Sequence, residues 1–234
     1  MLESPHGRTG VIPVTEALLF DFDGLILDTE SPDFQVWKEV YADYGHELTV
    51  GLWAQNVGGS WLSRYNPYDH LEELLGCSID RNAVKAGYKA RAREIILEQP
   101  ILPGVQDYIK EAKEMGIKVG VASSSDHAWV DGNLERLGLL HEFEVVVCAE
   151  DVENIKPHPE LFLTAAARLN ASPARTIVLE DSPNGARAAH DAGTFCVVVP
   201  NPLTAQLPFD HGHLHLNALS DVPLAQVVAL AAER

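Results

Sequence analysis

Two aspartates stand two residues apart in Asp21-Phe22-Asp23-Gly24, directly behind the apolar run Ala17-Leu18-Leu19-Phe20. A carboxylate in the position of Asp21 can attack phosphorus and form an aspartyl-phosphate, which splits one hard hydrolysis into two easier displacements. A second group must protonate the leaving oxygen and then take a proton from the attacking water. Asp23 reaches the same centre if the chain curls at Gly24. In Ser123-Ser124-Ser125, Ser123 and Ser124 with the N–H groups after Ser123, together with Lys156, offer donors for the equatorial phosphoryl oxygens. Pro157 biases Lys156 toward extended backbone, which helps to aim its side chain. Glu180-Asp181 offers the oxygen ligands that Mg²⁺ prefers, and such an ion offsets the repulsion between an anionic nucleophile and an anionic substrate.

Each segment alone is a weak signal. An Asp behind a strand is more often a turn or cap residue than a catalyst. A serine cluster is commonly a loop, and a lone lysine is commonly solvated. Their force comes from the elements that position them. Apolar runs at 17–20, 117–122, 143–148, 176–179 and 195–199 read as buried strands. They alternate with helical spacing at Val105/Tyr108/Ile109/Ala112, Val130/Leu134/Leu137, Phe162/Ala165/Ala166/Leu169 and Leu224/Val227/Val228/Ala231. Ser182 and Pro183 suit the N-cap and first position of a helix that runs to Gly193. Repeated βα units with apolar strands imply a parallel sheet covered on both faces. Ligands of such sheets bind at the carboxyl ends of the strands, where all four segments fall.

Between the first strand and the rest, Trp37, Val40, Tyr41 and Tyr44 follow helical spacing, and helical signals continue to Leu97. The expected architecture is therefore an α/β, Rossmann-like doubly wound parallel sheet with an inserted all-helical cap. Residues 15–31 and 99–234 form the core, 32–98 the cap, and 1–14 an N-terminal extension.

The 234 residues carry a net charge of −17. That surface repels nucleic acid and anionic membranes, so neither is expected as a partner. No apolar run approaches the roughly 20 residues of a bilayer span, and the first fifteen residues lack the apolar stretch of a signal peptide. A cytoplasmic protein is expected, and a monomer, since no obligate interface is evident. Cys77, Cys148 and Cys196 form no CxxC pair and read as three buried small hydrophobes.

The four segments resemble the four motifs of the haloacid dehalogenase superfamily, in its phosphatase and phosphomutase branch. The residues that carry the likeness are Asp21-Phe-Asp23-Gly24-Leu-Ile-Leu-Asp28-Thr29-Glu30, Val121-Ala-Ser123-Ser124-Ser125, Lys156-Pro-His-Pro159-Glu160 and Leu179-Glu180-Asp181-Ser182-Pro-Asn-Gly185. All four in order are highly specific, and they span nearly all of the chain from Ala17 onward. The resemblance implies Mg²⁺ bound by the Asp21 side chain, the Asp23 carbonyl, Glu180 and Asp181, with the first strand central in its sheet. It also implies a small phosphorylated metabolite, a sugar phosphate first, as the substrate.

Within the superfamily, dehalogenases lack the second aspartate, so Asp23 argues for phosphoryl transfer. Nothing clearly matches the cap lysine of the phosphonatases. The nearer rival is β-phosphoglucomutase, where a cap histidine and a cap arginine correspond by position to Asp33 and to about Trp61. Both departures favour a phosphatase, with the mutase kept as the alternative. A fold that has lost turnover and serves as a binding or regulatory module is a remote third reading.

The cap is expected to set specificity. Gly58-Gly59-Ser60-Trp61 reads either as a substrate-facing loop, with Gly59 permitting backbone approach and Trp61 offering a stacking face, or as a turn with a packed Trp. His127 reads either as a phosphate or substrate contact or as a helix-start residue. His211, His213 and His215 alternate and could hold a metal if all faced one way. An exposed edge strand is the favoured reading of that stretch.

Overall fold

A computed structural model of the chain describes residues 15–53 and 65–233. The sheet has six parallel strands in the order β3-β2-β1-β4-β5-β6. They are β1 (Ala17–Phe20), β2 (Lys118–Ala122), β3 (Val145–Val147), β4 (Thr176–Glu180), β5 (Phe195–Val198) and β6 (Leu214–His215). The expected central position of the first strand holds. Phe20 pairs with Val121 on one side and Leu179 on the other, so residues 21, 122–123 and 180–181 emerge at one sheet edge.

Strand side chains alternate between two cores, as the pleat requires. Leu18, Phe20, Val119, Val121, Ile177 and Leu179 pack on one face under α5 (Val105–Glu114), α6 (His127–Arg136) and α9 (Leu224–Ala232). Ala17, Leu19, Val178, Cys196 and Val198 pack on the other under α7 (Glu160–Arg168) and α8 (Pro183–Asp191). Both faces being covered explains why the strands read as unbroken apolar runs.

The regular elements among the described residues of the insertion between β1 and β2 are all helices: α1 (Glu30–Asp43), α2 (Val50–Trp53), α3 (Pro67–Leu75) and α4 (Arg81–Glu98). Local chemistry sets these starts. The Asn66 side chain accepts from the N–H groups of Tyr68 and Asp69 with Pro67 at the first helical position, and Asp80 accepts from those of Asn82 and Ala83. The insert has its own aromatic core of Trp37, Tyr41, Trp53 and Tyr65, to which the core residue Leu203 adds. The Tyr41 hydroxyl joins Tyr65 Oη (3.0 Å), His70 Nδ1 (2.9 Å) and the Pro67 carbonyl (2.9 Å).

Several expectations change. β3 is shorter than 143–148, because Leu140–Glu142 forms a 3₁₀ turn and Phe143 packs edge-on to Phe20 at 5.7 Å instead of joining the ladder. Only Leu214 and His215 of the alternating tail are strand, at the sheet edge. The three tail histidines do not converge. His211 lies against His190 (4.7 Å), His213 against Phe195 (5.0 Å) and His215 against Phe209 (5.9 Å), so they share no metal site. Cys148 and Cys196 are buried as expected, but Cys77 is exposed just beyond α3. No described helix is long and apolar enough to cross a membrane.

Candidate active site

The turn after β1 brings the first aspartates inward. Gly24 has φ +77°, which permits the curl, and its missing side chain admits Asp181. A Cβ there would stand 2.1 Å from Asp181 Oδ2. Asp21 is buried and its Oδ1 accepts from Lys156 Nζ at 2.6 Å. The same ammonium donates to Glu180 Oε1 at 2.7 Å. Lys156 thus crosses from the loop after β3 to bridge the ends of β1 and β4, and its bond to Pro157 is cis.

Glu180 has both carboxylate oxygens engaged. Oε1 takes Lys156, and Oε2 takes the Ser182 N–H (2.9 Å) and hydroxyl (3.0 Å). Ser182 also accepts from the Gly185 N–H and caps α8, as its sequence position suggests. Gly185 is glycine for a steric reason: a Cβ there would fall 1.7 Å from Glu180 Oε1. Asp181 is held by Asn201, whose Nδ2 donates to its Oδ2 at 2.8 Å.

Asp21, Glu180 and Asp181 each present an oxygen within 4.8 Å of the others, all buried. Burial, then Glu180, pushes the Asp21 carboxyl up to about 8 against the pull of Lys156. Burial, then Glu180 and Asp21, drives Asp181 well above the carboxylate range. Burial works against the Lys156 ammonium, but Asp21 and Glu180 outweigh it and hold it above the usual lysine value. Crowded buried carboxylates that raise one another are what a divalent cation relieves, and an all-oxygen set suits a hard ion. The residues present therefore fit Mg²⁺.

Asp23 is gripped at both oxygens. Oδ2 accepts from Ser125 Oγ at 2.6 Å, with Ser123 Oγ at 3.4 Å, and Oδ1 accepts from the Trp129 indole N–H at 2.9 Å. Ser124 lines the cavity, and its hydroxyl is buried with no hydrogen-bond partner. Of the N–H groups after Ser123, that of Ser125 is already spent on Ser123 Oγ.

These groups open into a cavity of about 1040 Å³ between sheet edge and insert. Helices α1 and α4 contribute Glu30, Asp33, Tyr88 and Arg93 to its walls. Burial first, then Asp23, pushes Glu30 up to about 8, and burial pushes Asp33 up to about 6 against the Tyr88 hydroxyl that bonds it.

His127 is not among the cavity residues. Its ring sits between Asp131 (3.0 Å) and Asp151 (2.7 Å), and its N–H meets Glu150, so it ties α6 to the loop after β3. This placement agrees with the helix-start reading of His127, the flanking carboxylates holding its ring. Gly59 and Trp61 lie outside the described residues. Trp129, Asn201 and Tyr88 escaped the sequence reading, and Ser125 was named there only as part of the serine segment, not as a partner of Asp23. Asn201 follows β5 at the same sheet edge, so the strand-end rule applied to that strand would have found it. Nothing in the sequence marks the indole of Trp129.

The sequence profile of the haloacid dehalogenase-like hydrolases matches residues 18–199. The "Putative phosphatase YhcW" of Bacillus subtilis is 40% identical over 210 residues, covering 90% of this chain and 94% of that protein. Hexitol phosphatase B of Escherichia coli K12 is 31% identical over 226 residues, covering 93% and 95%. Among solved structures, β-phosphoglucomutase of Clostridium difficile superposes with a TM-score of 0.70 at 25% identity, covering 94% of this chain and 98% of that one.

Proposed function

Because the chain belongs to the haloacid dehalogenase-like hydrolases, as a phosphatase of that family, we propose that it hydrolyses a small phosphorylated sugar or sugar alcohol through an aspartyl-phosphate on Asp21. The observation that carries this reading is the Lys156 ammonium shared between Asp21 and Glu180, 2.6 and 2.7 Å from their oxygens. It sets an opposing charge against a buried nucleophile, which favours the ionised form, while leaving it on the cavity wall.

Asp21 attacks phosphorus, and Asp23 gives its proton to the departing sugar oxygen. Asp23 then takes a proton from water as that water attacks the same phosphorus, which frees phosphate and restores the Asp21 carboxylate. The Ser123 and Ser124 hydroxyls and Lys156 hold the phosphoryl oxygens through both steps. Asp21, the Asp23 carbonyl and Asp181 would hold Mg²⁺, which when bound would neutralise charge on the phosphoryl group. Glu180, with both oxygens committed to Lys156 and Ser182, serves to aim Lys156.

The choice of a polyhydroxylated substrate draws on the relatives, which include hexitol phosphatase B and the fructose-1-phosphate phosphatase YqaB of Escherichia coli. The cavity is consistent with it: Asp33 and Tyr88 on the insert face the core residues with hydroxyl-binding groups. Asp33 also stands where a mutase carries histidine, which favours water as the acceptor. A panel of phosphorylated metabolites with Mg²⁺ tests the reading. Highest turnover is expected on sugar and hexitol phosphates, abolished by chelator. Preference for a phosphorylated carboxylic acid would count against the substrate class. Interconversion of a sugar 1-phosphate and 6-phosphate would replace hydrolase by mutase.

A further inference from the structure

The proton-transfer residue of a phosphatase has to point at an oxygen that is present only when substrate is bound, so something must hold it when substrate is absent. Aspartate side chains on exposed turns rotate freely, and Asp23 is only partly buried. Its two oxygens nevertheless have fixed donors from a different part of the chain. The Trp129 indole N–H reaches Oδ1 at 2.9 Å, and the Ser125 hydroxyl reaches Oδ2 at 2.6 Å. Both donors belong to the segment that leads from β2 into α6.

That segment is itself rigid. Asp126 caps α6 by accepting from the Trp129 N–H at 2.8 Å, so backbone and side chain of Trp129 are fixed at one helical turn. The Ser125 carbonyl accepts from Ala149 N at 3.0 Å. His127 clamps the same turn to Asp151 and Glu150. At its far end, α6 is tied to the insert by Arg136 Nη1, which donates to the Leu97 carbonyl at 3.0 Å. The Trp129 ring lines the cavity, so the contact lies where a leaving group must sit.

We propose that Trp129 is a positioning residue for proton transfer: its indole N–H, paired with the Ser125 hydroxyl, fixes the direction of the Asp23 carboxyl toward the leaving oxygen. The proposal rests on the reading of Asp23 as acid and base. Trp129 transfers no proton and acts only through Asp23. Losing the N–H frees Oδ1 to rotate, and proton transfer, which depends on sub-ångström alignment, slows while phosphate binding by Lys156 and the serines is unaffected.

The test uses the full chain with Mg²⁺ and a series of phosphate monoesters from 4-nitrophenyl phosphate to hexitol phosphates. The value of kcat/KM reports release of the alcohol, and it needs the acid more as the leaving group becomes more basic. Trp129→Phe keeps a ring but loses the donor. It is expected to cut kcat/KM for the alkyl esters by about tenfold, with a deficit that shrinks as the leaving group improves. Inhibition by inorganic phosphate is expected to stay within about twofold of wild type, since no phosphate ligand is touched. Ser125→Ala is expected to show the same steepened leaving-group dependence.

Replacing Trp129 by benzothienylalanine, which puts sulfur in place of N–H in the same ring shape, separates the donor from the packing. If that variant matches wild type across the series, the proposal is overturned. An equal loss on every ester also overturns it, since that is what general damage to the site produces. Asp23→Asn keeps the two failures apart. If it retains alkyl ester turnover, the acid–base reading of Asp23 fails. If it is inactive while the Trp129 variants match wild type, only the positioning proposal fails.

Discussion

Gly185→Ala should destabilise this protein, although the same change in a helix ordinarily helps. In an open helix interior, replacing Gly by Ala gains about 1 kcal/mol. Position 185 is in the first turn of α8, and the new Cβ would stand 1.7 Å from Glu180 Oε1 and 1.8 Å from its Cδ. Glu180 is fully buried and accepts three hydrogen bonds, from Lys156 Nζ and from the Ser182 N–H and hydroxyl. It can retreat only by giving up some of them. Overpacking typically costs about 1–3 kcal/mol, and a lost hydrogen bond to a charged group adds about 1.5–3 kcal/mol. After the helix gain is deducted, a net loss of about 1.5–5 kcal/mol remains. For a chain of this size that lowers Tm by roughly 3–20 °C.

Gly87→Ala in α4 is the matched control, because nothing lies within 4 Å of its Cβ position. It should raise stability by up to about 1 kcal/mol. The assay is thermal and denaturant unfolding of both variants, with kcat measured alongside, since a displaced Glu180 leaves Lys156 with Asp21 alone. A Gly185→Ala variant as stable and active as wild type would refute the steric and electrostatic reasoning about this corner of the site.

Two more outcomes follow from the same carboxylates. Without metal, Asp21 and Glu30 are raised to about 8 and Asp181 is raised well above its ordinary value. Raised carboxylates stabilise the fold most below their unfolded values, and that contribution is lost as pH climbs through the folded ones. The metal-free protein should therefore lose Tm between about pH 5 and pH 8, and the Tm gain on adding Mg²⁺ should widen over the same range. Differential scanning fluorimetry with and without chelator reads both, and a Mg²⁺ effect that does not vary with pH would contradict it. Asn201→Ala removes the donor 2.8 Å from Asp181 Oδ2. The Mg²⁺ concentration for half-maximal activity should rise at least about tenfold, as is common when a ligand loses its supporting hydrogen bond. An unchanged Mg²⁺ titration would show that Asp181 needs no such support.

The sequence made the sheet legible because its strands are buried on both faces, so their apolar runs stand out, and because the reactive groups follow them directly. Glu180-Asp181 after β4 and Asp21 after β1 needed only the parallel register to meet. What stayed hidden depends on side-chain direction. The Trp129 indole finds Asp23 across 106 positions of chain, and no local pattern encodes that. His127 sits one turn from the serines and looked well placed, yet Asp131 and Asp151 draw its ring elsewhere. Glu180 and Asp181 look equivalent in sequence, but Lys156 and Ser182 occupy both oxygens of the first. Strand β3 fell short of its apolar run because a 3₁₀ turn and the Phe20–Phe143 contact claimed its first residues.

Every step of the proposed hydrolysis depends on Asp21 as the nucleophile. The direct measurement is acid quench of the enzyme during turnover of an aryl phosphate with Mg²⁺, followed by mass mapping of the peptide that contains Asp21. The account predicts phosphate on Asp21, in larger amount in Asp23→Asn, where water attack lacks its base, and none in Asp21→Asn, which also loses turnover. Phosphate on another residue, or full turnover by Asp21→Asn, would contradict it.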